Sequence, residues 1–250
     1  MAKKRGKDEE KLNYSAAVRE LKADGPERLY LLWGPEDYLR EQYLAQLKKI
    51  CLPEGEDDFS YKRMDGPGLD PTRLREALDA IPFMSERSFV ELRNVDINKL
   101  ANADECMKLL EDIPDYCTVA FVQSAQFEPD GRLKFVKALR GEAKELKFTQ
   151  QSQGMLTDWI VRRFAAAGKS IELDAAQRLI FISGDLMSRL IPEIDKIAAY
   201  AKGERVTVKD VDAVASHIPE AVIFEMTELI SQKKYNSAMS VLAELLSDKN

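Results

Sequence analysis

Residues 29–39 read LYLLWGPEDYL, and this stretch decides the fold. Its first five residues form a short, wholly apolar run, which is the pattern of a strand covered on both faces. A turn of composition Gly-Pro-Glu-Asp follows, and a helical pattern begins directly after it. A strand that turns at once into a helix is the first half of a βαβ unit, so the stretch predicts a parallel sheet.

The same alternation of short apolar runs and longer helical patterns continues to residue 149. It predicts five strands, at Leu29–Trp33, Phe59–Arg63, Ser88–Leu92, Cys117–Gln123 and Glu145–Phe148. The helices predicted between them cover residues 38–50, 71–81, 96–110 and 131–139. The second of these helices has Asp70 and Pro71 as its N-cap and first residue, and its buried face is predicted to carry Leu74, Ala77, Leu78 and Ile81.

After a polar break at residues 150–154 the strand patterns stop, which predicts a domain boundary. Helices are expected at 155–167, 174–183, 186–201 and 208–216, with Gly168, Gly184 and Gly203 as C-terminal stops. Two further amphipathic helices are predicted in the last segment. The predicted organisation is a disordered tail (1–13), an α/β domain (14–149), a helical domain (150–217) and the start of another helical domain (218–250).

The turn after the first strand stands where a phosphate-binding loop would lie. Such a loop needs glycines for close backbone approach, a lysine for the terminal phosphate and a hydroxyl for magnesium. The turn, Gly34 to Asp37, lacks the lysine. Pro35 removes one backbone N–H, and Glu36 and Asp37 place negative charge where a phosphate would sit. The turn therefore predicts a chain that neither binds nor hydrolyses a nucleotide.

Other catalytic patterns are equally incomplete. The fourth predicted strand ends in Gln123 and Ser124, where an ATPase would carry a magnesium ligand and a carboxylate base. Residues 168–170 spell Gly-Lys-Ser, the end of a phosphate loop, but a predicted helix rather than a strand precedes them. The single histidine, His217, excludes histidine-based metal clusters and is expected to have a capping or surface role.

The composition is that of an ordinary globular protein, with 45% hydrophobic and 32% charged residues and no run of 18 apolar residues. A formal charge of −6 argues against a protein that holds nucleic acid mainly through its own phosphate contacts. The three cysteines are too few and too widely separated for a disulfide framework or a metal knuckle. These features predict a protein of the reducing cytoplasm with no membrane segment.

Five stretches carry a family resemblance. They are residues 29–39 (LYLLWGPEDYL), 81–90 (IPFMSERSFV), 159–160 (WI), 192–200 (PEIDKIAAY) and 206–211 (VTVKDV). Each is weakly specific alone, but in this order and spacing they resemble the delta subunit of the bacterial DNA polymerase III clamp loader. The resemblance covers residues 14–246.

The resemblance implies an AAA+-type α/β domain with a five-stranded parallel sheet, followed by a helical lid bundle and the start of a helical collar domain. It implies a non-catalytic subunit that binds the DNA sliding clamp, the beta subunit, and opens its ring during DNA replication. Partner subunits would hydrolyse ATP, and no cofactor is expected. The other implied partners are the clamp-loader ATPase and delta-prime subunits, reached through the collar. A complete collar extends beyond Asn250, so assembly of this chain and any indirect contact with DNA stay open.

In the family, an apolar tip ahead of the third strand inserts into a hydrophobic pocket of the clamp. Carried onto this sequence, the tip is Pro82, Phe83 and Met84. Ser85, Glu86 and Arg87 are expected to form a polar rim, in which Arg87 is the residue expected to matter most. Pro82 is expected to end the preceding helix once Ile81 has completed the core face, which leaves Phe83 and Met84 outside the buried stripe. The alternative is that Phe83 folds back into the core, since phenylalanine is usually buried.

Two other functions stay open at this point. A non-catalytic AAA+ scaffold subunit of another assembly, such as the delta-prime stator, would share the fold. The stator's Ser-Arg-Cys motif and zinc-binding cysteines are missing, however, and Ser188-Arg189-Leu190 falls inside a predicted lid helix. An NTPase with an unusual loop would have to work without the lysine and the acidic residues described above.

Overall fold

The computed structural model describes residues 13–53, 55, 59–82 and 85–247, with side chains described as far as Leu242. The chain divides into two compact units, residues 1–149 and 150–250, and each is described by itself. Of the predicted tail only Asn13 is described, and its side chain caps the first helix by accepting from the amide of Ala16 at 3.1 Å. Phe83 and Met84 lie outside the described residues.

The first unit is built on five strands. They are β1 (Leu29–Trp33), β2 (Tyr61–Asp65), β3 (Ser88–Arg93), β4 (Cys117–Val122) and β5 (Lys144–Lys147). The sheet order is β2-β3-β4-β1-β5, and every pair of neighbours is parallel. All six residues of β4 are buried, as expected of a strand covered on both faces. The predicted five-stranded parallel sheet is confirmed.

Five helices accompany the sheet. They are α1 (Tyr14–Asp24), α2 (Asp37–Cys51), α3 (Pro71–Leu78), α4 (Ala103–Glu111) and α5 (Lys134–Glu142). Leu29, Leu31 and Trp33 of β1 share one core cluster with residues of α3, α4 and α5. On the other face, Tyr30 packs against Tyr43 of α2, with ring centroids 6.3 Å apart. Because all strands are parallel, their carboxyl ends meet at the edge where α2 begins, and their amino ends meet at the opposite edge.

The helix α3 begins as predicted but ends early. The carboxylate of Asp70 accepts from the amide of Thr72 at 2.9 Å, which is the expected N-cap. The prediction that Ile81 completes the core face is wrong, because α3 ends at Leu78 and Ile81 is 80% exposed. A residue that precedes proline is disfavoured in the helical conformation, so Ile81 cannot extend the helix towards Pro82.

Other boundaries in the first unit also differ from the predictions. Phe59, predicted as the first residue of the second strand, precedes β2 and is 77% exposed. The helices predicted at 96–110 and 131–139 start several residues late. In both segments an aspartate, Asp96 or Asp130, accepts from the amide two residues further on, at 3.1 and 3.0 Å. Such local hydrogen bonds form turns that compete with a helix.

The second unit is largely helical. Its elements are α6 (Gln153–Ala166), β6 (Ser170–Ile171), α7 (Leu173–Ser183), α8 (Met187–Tyr200), β7 (Arg205–Val206), α9 (Val208–Val214), α10 (Pro219–Ser231) and α11 (Tyr235–Ser247). The prediction that strands stop after residue 150 is wrong, since β6 and β7 pair in parallel. The helix α10 packs on α7 through an edge-to-face contact of Phe224 with Phe181, centroids 5.4 Å apart.

Glycines and one lysine set the helix ends in this unit. Gly168 and Gly184 follow α6 and α7 with positive φ angles of 74° and 89°, as predicted for C-terminal stops. Gly203 is not the stop of α8, which ends at Tyr200. The turn is held instead by Lys169, whose Nζ donates to the carbonyls of Ala201 at 2.6 Å and Gly203 at 2.8 Å. The Gly-Lys-Ser tripeptide thus contributes a structural lysine.

Candidate functional site

The turn that replaces a phosphate-binding loop forms backbone hydrogen bonds with the segment around Phe148. Gly34 adopts a φ of 120°, and a Cβ there would lie 2.4 Å from the carbonyl oxygen of Phe148. The amide of Phe148 donates to the carbonyl of Trp33 at 2.7 Å, and the amide of Glu36 donates to the carbonyl of Phe148 at 3.1 Å. The glycine therefore permits close contact of two backbone segments, a role that only a residue without Cβ can fill here.

The amides at the start of α2 also have acceptors within the protein. Pro35 has no N–H, the amide of Asp37 donates to the carbonyl of Pro35 at 3.1 Å, and the amide of Tyr38 donates to the Asp37 carboxylate at 3.0 Å. A phosphate at a helix N-terminus is normally held by amides in these positions. In this chain they are already engaged.

Two charged side chains are buried here, Glu36 in the turn and Arg40 in the first turn of α2. Glu36 is the N-cap of α2 and is 0% exposed, so its carboxylate stands at the positive end of the helix dipole. Arg40, 5% exposed, donates from Nη1 to the carbonyl of Gly34 at 2.8 Å. Burial lowers the pKa of Arg40, while the carboxylates of Glu41, Asp37 and Glu36 act in the opposite direction. The position that would attract a phosphate is thus taken by charges of the chain itself.

The end of β4, where an ATPase would carry its acidic residues, holds a buried amide. Gln123 is 2% exposed, and its backbone amide donates to the carbonyl of Leu32 at 2.9 Å. Neither side-chain atom of Gln123 has a hydrogen-bond partner among the described residues. The side-chain amide of Gln123 is therefore an unsatisfied buried polar group.

The segment that joins α3 to β3, in which the clamp-binding tip is predicted, leads into the opposite, amino edge of the sheet, and only some of its residues are described. Ile81 is 80% exposed, and Pro82, Ser85 and Arg87 are half-buried. The hydroxyl of Ser85 donates to the carbonyl of Arg87 at 2.7 Å, and Nη1 of Arg87 donates to the carbonyl of Asp115 at 3.4 Å. Of the four predicted site residues, the structure describes Pro82 and Arg87, which fall on this one segment.

A buried ionic network behind β3 escaped the sequence analysis. Glu91, 0% exposed, accepts from Nζ of Lys48 at 2.6 Å, from the hydroxyl of Tyr61 at 2.8 Å and from Nε of Arg93. Arg93 also donates to both oxygens of Glu41, at 2.9 and 2.5 Å. Burial raises the pKa of Glu91, but the three donors outweigh it and hold that pKa below its ordinary value. The network ties α2 to β2 and β3.

Membrane helices and metal clusters are absent from the residues that the structure describes. No helix in the described ranges is long and apolar enough to cross a membrane. Within those ranges no three histidine, cysteine, aspartate or glutamate side chains are grouped so that they could hold a metal ion. The three cysteines are buried and unpaired, and His217 is exposed between α9 and α10.

Comparison with known sequences points to one family. The family described as "DNA polymerase III, delta subunit" matches residues 30–149. The DNA polymerase III subunit delta of Bacillus subtilis is 26% identical over 230 residues, which are 87% of this chain and 65% of that protein. A probable DNA polymerase III subunit delta of Aquifex aeolicus is 25% identical over 88% of this chain and 64% of that protein. The chain spans less than two thirds of the length of these relatives.

Solved structures share the fold. The DNA clamp loader delta protein of Bacillus subtilis aligns with a TM-score of 0.61 and 21% identity, covering 95% of this chain and 72% of that one. The RuvB Holliday junction branch migration motor of Thermotoga maritima aligns with a TM-score of 0.56 and 17% identity, covering 92% of this chain and 79% of that one. At these identities the likeness concerns the fold.

Proposed function

We propose that this chain, whose resemblance to the DNA polymerase III delta subunits is confirmed, is a clamp-loader component that binds the sliding clamp and opens its ring. It acts during DNA replication without hydrolysing ATP itself. The chain binds the open form of the ring more tightly than the closed form, and this difference in affinity shifts the clamp towards the open form. The family match carries the proposal, and the 80% exposure of Ile81, directly before the predicted clamp-binding residues, supports it.

The closed turn at Gly34 supports the non-catalytic part of the proposal. A nucleotide would have to displace the buried carboxylate of Glu36 and compete for amides that already have acceptors. Like charges repel more strongly in a site shielded from water than in bulk solvent. ATP chemistry is therefore assigned to partner subunits.

The clamp-binding element is assigned to Pro82, Phe83 and Met84, with Arg87 at its rim. Ile81, which is exposed rather than part of the core, is proposed as a further apolar contact of this element. Arg87 is held at the base of the segment by the carbonyl of Asp115. A few apolar side chains suffice as anchors, since each buried one contributes about 1.5–3 kcal/mol.

The second unit is assigned to the remaining partners. Residues 150–217 are proposed as the helical lid and 218–250 as part of the collar, through which the clamp-loader ATPase and delta-prime subunits would be met. Exposed apolar side chains on the last two helices, Phe224 and Met239 among them, are compatible with helix packing in an assembly. The protein is proposed to work in the cytoplasm.

Binding to the sliding clamp of the same organism tests the proposal. The chain is immobilised, and the dissociation constant is measured with and without ATP. We expect ATP to make no difference, and the double variant Phe83→Ala, Met84→Ala to bind at least about 100-fold more weakly, because two buried apolar side chains are lost. The matched control is Leu173→Ala, Met155→Ala, which removes two exposed apolar side chains from the second unit, 62% and 55% exposed.

Ring opening is measured separately, as the release of clamps from a nicked circular DNA. The wild-type chain should accelerate the release of clamps. The double variant Phe83→Ala, Met84→Ala, here called the tip variant, should not. Unchanged affinity of the tip variant would remove the assigned site. A chain that binds clamp-loader ATPases but not the clamp would favour the scaffold function instead.

A further inference from the structure

The connector between α9 and α10, residues 215–218, is hydrogen-bonded to α7. The amide of Ile218 donates to the carbonyl of Ile182 at 2.7 Å, and the hydroxyl of Ser183 donates to the carbonyl of Ser216 at 2.9 Å. Ile182 and Ser183 are the last two residues of α7. The final carbonyls of a helix have no partner within that helix, so the connector satisfies one of them.

A buried carboxylate of α8 holds the same connector. Glu193 is 8% exposed, and its Oε2 accepts from the amide of Ser216 at 2.9 Å and from Nζ of Lys196 at 2.8 Å. Nζ of Lys196 also donates to the hydroxyl of Ser216 at 3.0 Å. The amide, the carbonyl and the hydroxyl of Ser216 therefore all have partners on other helices. A buried carboxylate needs such donors, because an unpaired charge is costly away from water.

Apolar contacts hold the start of α10 against α7. Gly184 follows α7 directly, and a Cβ added there would stand 3.6 Å from Cδ1 of Ile218. Pro219 is the first residue of α10, and its ring fixes φ where the connector ends. Further along α10, Phe224 packs edge to face on Phe181 of α7. The direction in which α10 leaves the connector is thus set from both sides.

We propose that the connector is a fixed strap, which locks α10, and α11 packed on it, to the preceding helices of the second unit. Four hydrogen bonds of the strap must open before α10 can swing away from α7 and α8. The sequence places a domain boundary at residues 217 and 218, where a linker would bend. The strap instead carries a force applied to α10 or α11 into α7 and α8, so that α6 to α11 turn as one rigid body. This inference does not depend on the proposed function.

Amide hydrogen exchange of the full wild-type chain, followed by NMR, tests the strap. The amides of Ser216 and Ile218 have acceptors on α8 and α7, so each should exchange at least about 100-fold more slowly than in an unstructured peptide. A bending linker would leave both amides open to water. Exchange of either amide at the unprotected rate overturns the proposal.

Distances between two spin labels test whether the strap fixes the last helices. Labels are attached at Asp158→Cys on α6 and Asn236→Cys on α11, two exposed positions, since the native cysteines are buried. The distance distribution should be narrow in the otherwise wild-type chain. Glu193→Met should broaden it at least about twofold, because the amide of Ser216 loses its acceptor. Asp195→Met, the same replacement at an exposed carboxylate of α8, is the control and should leave it narrow.

A second variant covers a loss of folding. If Glu193→Met loses its helical circular dichroism, Ser183→Ala takes its place, since it removes only the donor to the carbonyl of Ser216 and should broaden the distribution in the same direction. A distribution that is broad without either substitution, or equally narrow with it in a folded variant, overturns the proposal. Clamp binding enters neither measurement, so the strap and the proposed function are tested separately.

Discussion

The substitution Glu91→Gln measures how much the buried ionic network stabilises the first unit. The Glu91 side chain is 0% exposed, and the substitution removes its charge while Lys48, whose side chain is 13% exposed, stays beside it. Arg93 keeps its two hydrogen bonds to Glu41, so the loss falls mainly on Lys48. Breaking one partner of a buried pair costs about 3–5 kcal/mol, and we expect a value near the lower limit, about 3 kcal/mol.

Urea unfolding at pH 7 provides the assay. The chain has two tryptophans, so the Trp159→Phe background lets Trp33 report on the first unit alone. With a denaturant dependence of about 1–3 kcal/mol/M, the midpoint should fall by about 1–3 M. Asp104→Asn is the control, because its ion pair with Lys134 has both side chains at least 80% exposed, and solvent screening should leave the urea midpoint almost unchanged when the pair is lost. Equal losses in the two variants would refute the reasoning.

Acidic pH should remove the contribution of the Glu91 network to the free energy of unfolding. Burial raises the pKa of Glu91, but donors on Lys48, Arg93 and Tyr61 outweigh it and leave the pKa below its ordinary value. A carboxylate with a lowered pKa stabilises the fold above its unfolded pKa of about 4.3, and this stability is lost as pH falls through the folded value. The difference in the free energy of unfolding between the wild type and Glu91→Gln should therefore decrease below about pH 4.3. A difference that stays constant down to about pH 2 contradicts the assignment.

Two further substitutions test the turn and the strand end. Gly34→Ala should destabilise the first unit by more than about 2 kcal/mol in the same urea assay, because its Cβ would meet the carbonyl of Phe148. The control is Gly25→Ala. Gly25 also has a positive φ, but a Cβ there would lie in open space, so this substitution should cost about 1 kcal/mol. Similar losses of unfolding free energy in the two variants would show that the close approach of Gly34 to Phe148 is unimportant. Gln123→Met keeps the side-chain volume and removes an unsatisfied buried amide. The free energy of unfolding should therefore stay equal or rise by up to about 2 kcal/mol, and a fall of that size would mean that the amide has a partner.

Elements whose burial is uniform could be predicted from the sequence. The bounds of β1 are those predicted, and β3 and β4 differ from prediction by one residue at one end, because their residues are almost all buried. The cap at Asp70 was also readable, since it depends on local hydrogen bonding alone. The helix α1 was missed because only Ala17 and Leu21 are buried along it, which is too few for a clear apolar stripe.

The candidate site was less predictable because exposure and pairing are tertiary properties. Periodicity assigned Ile81 to the core, although the helix stops before it, and gave Phe59 to a strand that begins two residues later. The contact of Arg93 with Glu41 joins residues 52 positions apart, which no local pattern reveals. Glu91 looked like an ordinary charged residue in an apolar strand. The close packing of Gly34 against Phe148 could be suspected from glycine alone but not located.

The two outer strands of the sheet limit how this protein can meet other molecules. The edge strand β2 carries Lys62, Arg63 and Asp65, and the edge strand β5 carries Lys144 and Lys147, so both edges of the sheet are rich in charged side chains. A strand from another chain would have to bury these ions in order to pair with either edge. Self-association by strand addition, the usual route to aggregation for an open sheet, is thereby discouraged at high concentration.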